Sequence, residues 1–136
     1  MNGPVEGAHV NTAARIVAGL LLIAHGLVHL LYLVSEPDDE SYPFTLRDSW
    51  LVPESARRPL AIFLIAVTIT FFALLGLAVW GVPGLSGVWP ALAIVAASSS
   101  LALLIAFWDA WLTIGVGIDV ALVVIAVTRP GWTDVL

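Results

Sequence analysis

The chain has 136 residues, of which 60% are hydrophobic and 11% charged, and its mean hydropathy is +1.03. This balance excludes a soluble globular domain and indicates an integral membrane protein. The absence of cysteine excludes disulfides, thiolate metal sites and cysteine nucleophiles. The net charge is −5 and the five basic residues form no basic patch, so nucleic acid is excluded as a partner.

Four apolar runs of near 20 residues follow one another, at residues 13–34, 60–80, 88–107 and 112–128. Each is close to the roughly 20 residues that an α-helix needs to cross a bilayer. The first run is longer than the apolar part of a secretory signal and lacks a small-residue cleavage pattern, so we interpret it as a retained helix. The sequence therefore predicts an all-α membrane protein: one domain over residues 1–136, forming a four-transmembrane-helix bundle with both termini on the same side.

The longest predicted connection covers residues 35–59 and mixes aromatic residues with arginine and acidic residues. This composition is typical of a segment that lies on the membrane interface, and the alternative is a lid over a site. Pro59 fits the first turn of the second helix, where its missing N–H costs nothing. The acidic run at 36–40 suits an exterior loop, so we place the termini in the cytoplasm, although the arginine counts on the two sides are nearly balanced.

A tight turn is expected near Asp109, between the third and fourth runs. A single helix through both runs would be about 60 Å long at 1.5 Å per residue, which is too long for one bilayer. Asp109 is suited to cap the helix that follows it.

Ionisable residues lie deep inside two of these runs: His25 and His29 in the first and Asp119 in the fourth. An acid at the centre of an inserted helix costs about 2.5 to 3.5 kcal/mol, so such residues are candidates for a functional site. Counting inward from the helix ends places His25, Thr68, Ser99 and Asp119 at one level. His29 lies one turn further along, on the same face as His25.

We therefore hypothesise that Asp119 faces the bundle interior and pairs with His25, with a midplane serine or threonine, such as Ser99 or Thr68, completing the hydrogen bonds. His29 is left without a partner in this arrangement. The alternative is that the pair only fixes the packing of the helices, since hydrogen bonds within membranes contribute about 0.6 kcal/mol on average.

The spacing of His25 and His29 also matches a pair of metal ligands on one helix face, with Asp119 as a third ligand. The metalloprotease pattern is excluded because Gly26 stands where its glutamate would follow the first histidine. A haem would need an axial ligand from a second copy of the chain. A divalent metal and a haem thus remain open as cofactors.

The segment from residue 15 to 27, RIVAGLLLIAHGL, resembles the opening helix of the DoxX-like small four-helix bacterial membrane proteins in its arginine, its glycine and its His-Gly pair. The resemblance covers this helix and the overall layout of the chain. It implies a membrane subunit of a quinone-linked or redox complex in a bacterial or archaeal cytoplasmic membrane. The positions that the resemblance carries over from the family to this chain are His25 and, as a helix-packing position, Gly26.

Two functions are compatible with these features. In the first, the chain is a non-catalytic subunit or oligomeric module in the lipid bilayer, a homo-oligomer or bound to a membrane partner. In the second, it is a small proton- or cation-coupled transporter or channel that uses His25 and Asp119. An enzyme acting on its own ranks third, because the sequence offers no pair of nucleophile and base.

Overall fold

The computed structural model describes residues 4–34 and 41–135, and over these ranges the chain is helical with no strand. Its long helices are α1 (Pro4–Val28), α2 (Glu54–Val79), α3 (Trp89–Ala106) and α4 (Thr113–Thr128). Short 3₁₀ turns extend or join them at His29–Leu33, Ser86–Val88, Ala110–Leu112 and Gly131–Val135. The prediction of four long helices is confirmed.

Four helical segments are long and apolar enough to cross a membrane: Thr12–Leu33, Glu54–Val79, Ser86–Ala106 and Ala110–Thr128. Large apolar side chains cover their outer faces; Leu21, Ile114 and Val127, for example, are more than 60% exposed. Apolar surface of this extent on every helix matches a lipid environment. The chain thus has the architecture of a multi-pass membrane protein.

The second helix begins at Glu54, six residues before the predicted start, and this shortens the long connection. Pro59 consequently lies inside α2 and not in its first turn, so that prediction is wrong. The polar first turns are held by Arg57, whose guanidinium donates hydrogen bonds to the carbonyl oxygens of Val52 and Arg47. Hydropathy marks only the apolar part of a helix and misses such a start. The acidic run at 36–40 lies outside the described residues.

The helices pack in chain order, α1 on α2, α2 on α3 and α3 on α4. Neighbours run antiparallel. A Cβ atom on Gly26 would come within 2.7 Å of Phe72 Cβ, so α1 approaches α2 closely there, and Gly26 is confirmed as a packing position. Gly115 of α4 similarly faces Leu104 of α3. We call end A the end of the bundle that holds the α2–α3 turn, and end B the opposite end.

At end B, the α3–α4 turn and the described part of the long connection close the bundle. The predicted turn at Asp109 is confirmed, and its carboxylate accepts a hydrogen bond of 2.8 Å from the Trp111 backbone N–H. Ser49 Oγ donates to Ala106 O at 2.5 Å, and Trp50 Nε1 donates to Ile105 O at 2.8 Å. These bonds satisfy carbonyl groups that the last turn of α3 leaves without helical partners.

Candidate functional site

The pairing of His25 with Asp119 that depth counting suggested is present in the structure. His25 Nε2 lies 3.0 Å from Asp119 Oδ1, within hydrogen-bonding distance. The Asp119 side chain is fully buried, and that of His25 is 13% exposed. The two residues reach each other from α1 and α4, which otherwise pack on α2 and α3 respectively. The bond therefore links the first and last helices of the bundle across its interior.

The second carboxylate oxygen of Asp119 is bound by a serine. Ser100 Oγ of α3 donates a hydrogen bond of 2.5 Å to Asp119 Oδ2. The same hydroxyl lies 2.9 Å from His29 Nε2. Ser100, His29 and Asp119 are all at most 1% exposed. The prediction that His29 is left without a partner is therefore wrong, because Ser100 connects it to Asp119.

The backbone of α1 holds His29 in this position. The α-helix ends at Val28, and His29 starts a 3₁₀ turn. Its Nδ1 lies 3.1 Å from His25 O and 3.3 Å from Gly26 O, two carbonyl groups of the preceding turn. The rings of His25 and His29 meet edge to face with centroids 5.7 Å apart. Both histidines therefore face Asp119 and Ser100 from one side of the first crossing.

Ser99 and Thr68, the hydroxyl residues predicted to complete the site, form a separate pair. Thr68 Oγ1 donates to Ser99 Oγ at 2.9 Å, and Ser99 Oγ donates to Ala96 O at 2.9 Å. Neither residue contacts Asp119 or a histidine through these bonds. Consecutive residues on a helix differ by about 100° in direction, so Ser99 faces α2 while Ser100 faces α1 and α4. The correct serine is thus one position further along the run.

The three residues considered as metal ligands, His25, His29 and Asp119, are engaged in hydrogen bonds in this arrangement. Among the side chains described in residues 12–34 and 41–133, no group of three or more His, Cys, Asp or Glu could hold a metal ion. His29 Nδ1 faces two carbonyl oxygens and its Nε2 faces Ser100, so neither ring nitrogen is directed to a common point with His25.

An apolar cleft of about 650 Å³ lies beside the site, toward end A. Among its described lining residues, only His25 is ionisable. The His25 Nε2 atom is occupied by Asp119, which leaves Nδ1 as the ring nitrogen available to a molecule in the cleft. The lining comes from all four helices and the segment after α4, with residues Ala18, Leu21, Leu22, Ala24, His25, Val28, Leu75, Val79, Trp89, Ala93, Ile118, Leu122, Ile125 and Trp132.

A smaller cavity of about 200 Å³ adjoins both histidines on the side toward end B. Phe44 of the long connection and Trp111 of the α3–α4 turn help to line it. His25 therefore lies between two cavities, whereas His29 contacts only the smaller one of the two.

No protein-family model, curated protein or solved structure matches this chain. The resemblance of residues 15–27 to DoxX-like proteins stays a prediction. Any function must therefore be inferred from the site itself.

Proposed function

We propose that this protein is a small membrane module, non-catalytic on its own, that binds a lipid-soluble ligand with a hydrogen-bonding head group. In this proposal both termini lie on the cytoplasmic side. The observation that carries it is the apolar cleft with a single ionisable residue, His25, in its described lining. Binding sites for small molecules commonly combine such an apolar lining with a few placed polar groups.

The dimensions and chemistry of the cleft define the ligand class. Its volume of about 650 Å³ is within the range of pockets that hold drug-sized molecules. Aliphatic side chains and the indoles of Trp89 and Trp132 suit an apolar tail or an aromatic ring. His25 Nδ1 would accept a hydrogen bond from a hydroxyl group when the ring is neutral, and it would donate one to a carbonyl group when the ring is protonated. Quinones have both parts, and a quinone is the ligand that we infer.

The apolar lining also favours a ligand over an ion pathway. A permeating ion needs polar groups along its route, and aliphatic side chains supply none. A redox reaction of a bound quinone would require an electron donor, which a membrane partner subunit would supply. We therefore infer that a redox role requires a complex with such a subunit; assembly as a homo-oligomer is the alternative for ligand binding alone.

Calorimetric titration in detergent tests this proposal. A decyl-tailed benzoquinone is compared with decylbenzene, which has the same tail and a six-membered carbon ring but no polar groups. We expect saturable binding of the quinone, weakened about tenfold by His25→Gln, the factor that corresponds to the loss of one hydrogen bond. Decylbenzene should bind equally to wild type and His25→Gln.

A cleft-filling variant supplies the second arm of the test. Ala24 lines the cleft, so Ala24→Trp should abolish quinone binding. Ala66 is exposed on α2 and does not line the cleft, and Ala66→Trp is the matched control that should bind normally. Equal affinity of wild type and Ala24→Trp for the quinone would refute a site in the cleft.

A further inference from the structure

The hydroxyl of Ser100 has one hydrogen and two polar neighbours. Asp119 Oδ2 lies 2.5 Å from Ser100 Oγ on one side, and His29 Nε2 lies 2.9 Å away on the other. A serine hydroxyl donates one hydrogen bond and accepts up to two. It therefore donates to one of these neighbours and accepts from the other.

The surroundings of His29 reduce the choice to two arrangements. Its Nδ1 faces the carbonyl oxygens of His25 and Gly26, which only accept, so Nδ1 carries a hydrogen in either case. If Ser100 donates to Asp119, His29 Nε2 must donate to Ser100, and the site holds an imidazolium and a carboxylate. If Ser100 donates to His29 Nε2, Asp119 is a carboxylic acid that donates from Oδ2 to Ser100.

We propose that His29, Ser100, Asp119 and His25 form a proton relay, in which these two arrangements interconvert through the Ser100 hydroxyl. In one direction, the Nε2–H bond of His29 breaks as a new O–H bond forms on Ser100. The original O–H bond of Ser100 breaks at the same time, and its proton forms an O–H bond on Asp119 Oδ2. The site gains and loses no proton, and the return transfer reverses each bond.

His25 extends the relay to the cleft. With the proton of a neutral His25 on Nε2, this atom donates to Asp119 Oδ1, and Nδ1 is the ring nitrogen that Asp119 does not occupy. The His25 side chain lines the cleft. When Asp119 is protonated on Oδ2, a proton accepted at His25 Nδ1 displaces the Nε2 proton to Oδ1. The Oδ2 proton then moves to Ser100, and the Ser100 proton moves to His29. One proton enters at the cleft, and one positive charge is left on His29.

Few other ionisable groups on the surrounding elements compete with this relay. The 3₁₀ turn of the first crossing carries Tyr32, and the α3–α4 turn carries Asp109. Glu54, Arg57 and Arg58 of α2 all lie in its first two turns, at end B. Neither α3 nor the remainder of α4 has an ionisable side chain. His29 is 1% exposed and both its ring nitrogens are engaged, so its route of proton exchange passes through Ser100.

The relay is tested by NMR of protein labelled with ¹⁵N-histidine in lipid nanodiscs, without added ligand. The quantity measured is the rate at which the His29 ring nitrogens exchange protons, from about pH 5 to about pH 9, where histidine titrates. Ser100→Ala removes the hydroxyl that exchanges protons with His29 Nε2, so it should slow this exchange more than about tenfold. Only a small rise in the barrier to proton transfer is needed for each factor of ten. Ser99→Ala, in the neighbouring serine that bonds to Thr68, should exchange like wild type.

Unchanged or faster exchange in Ser100→Ala would overturn the relay, since a purely structural serine leaves a more open site when removed. Asp119→Asn gives an independent readout if Ser100→Ala does not fold. An asparagine amide donates to Ser100 but has no acidic proton to transfer, so His29 should stay in the neutral Nδ1–H form throughout. A His29 that still becomes an imidazolium in Asp119→Asn as in wild type would also overturn the proposal. Because no ligand is present, failure of the relay is distinguishable from failure of quinone binding.

Discussion

His25 and Asp119 join the first and last helices of the bundle through one hydrogen bond of 3.0 Å between Nε2 and Oδ1. Each of these helices packs along its length on a different neighbour, α1 on α2 and α4 on α3. The bond therefore connects α1 to α4 at the polar site, and the apolar cleft lies beside it. Ser100 of α3 bonds to the same carboxylate, so this single acid of α4 is hydrogen-bonded to two other helices, α1 and α3.

The hydrogen bonds of Asp119 predict that two substitutions at this position differ in their effect on stability. Asp119→Asn keeps an acceptor for His25 and a donor for Ser100, so stability should fall by no more than about 1 kcal/mol. Asp119→Leu leaves His25 and Ser100 without their partner and should cost about 1 to 3 kcal/mol. Thermal unfolding in detergent, followed by circular dichroism, measures both. Equal losses for the two variants would contradict a hydrogen-bonded role for the side chain.

The close approach of α1 and α2 predicts a strong effect at Gly26. A Cβ atom there would lie 2.7 Å from Phe72 Cβ, so Gly26→Ala should force the helices apart and destabilise the protein by about 1 to 3 kcal/mol. At Gly117 in α4, a Cβ atom would have nothing within 4 Å. Gly117→Ala should therefore raise stability by about 0.5 to 1 kcal/mol, as expected for alanine in a helix. The unfolding temperature of each variant provides the comparison, and a stable Gly26→Ala would refute the close packing.

Ser49 is expected to fasten the long connection to the end of α3. Its hydroxyl donates to Ala106 O and accepts from the backbone N–H groups of Leu51 and Val52. Ser49→Ala should cost about 1 kcal/mol for the bond to the carbonyl and increase cleavage of this segment by protease. Ser55→Ala, in the exposed first turn of α2, is the control and should behave like wild type. Equal protease sensitivity of the two variants would contradict this role.

Liposomes that contain the wild-type protein should hold a pH gradient as well as empty liposomes do. The relay residues lie within about one helical turn of each other along the bundle axis, and the lining of the cleft toward end A is apolar apart from His25. A proton can thus exchange within the site without a polar path from one membrane face to the other. The decay of an internal pH-sensitive dye measures this. Rapid decay that disappears in Asp119→Asn would instead establish the transporter alternative.

The four helices and the depth of the polar residues were predictable from the sequence. Length and apolarity determine whether a segment can cross a bilayer, and counting residues at 1.5 Å each locates a side chain along the helix axis. His25 and Asp119 could therefore be paired before the fold was known. The start of α2 was misplaced because its first turns are polar and are held by Arg57, a contact that hydropathy does not register.

Only the tertiary structure decided which hydroxyl and which histidine complete the site. Depth counting locates Ser99 and Ser100 at nearly the same level but says nothing of rotation about the helix axis. That rotation is determined by how α3 packs between α2 and α4, and it directs Ser99 to Thr68 and Ser100 to Asp119. His29 joins the site through that same hydroxyl. The sequence determined which polar groups lie at a similar depth in the membrane, and the packing of the helices determined which of them are hydrogen-bonded to each other.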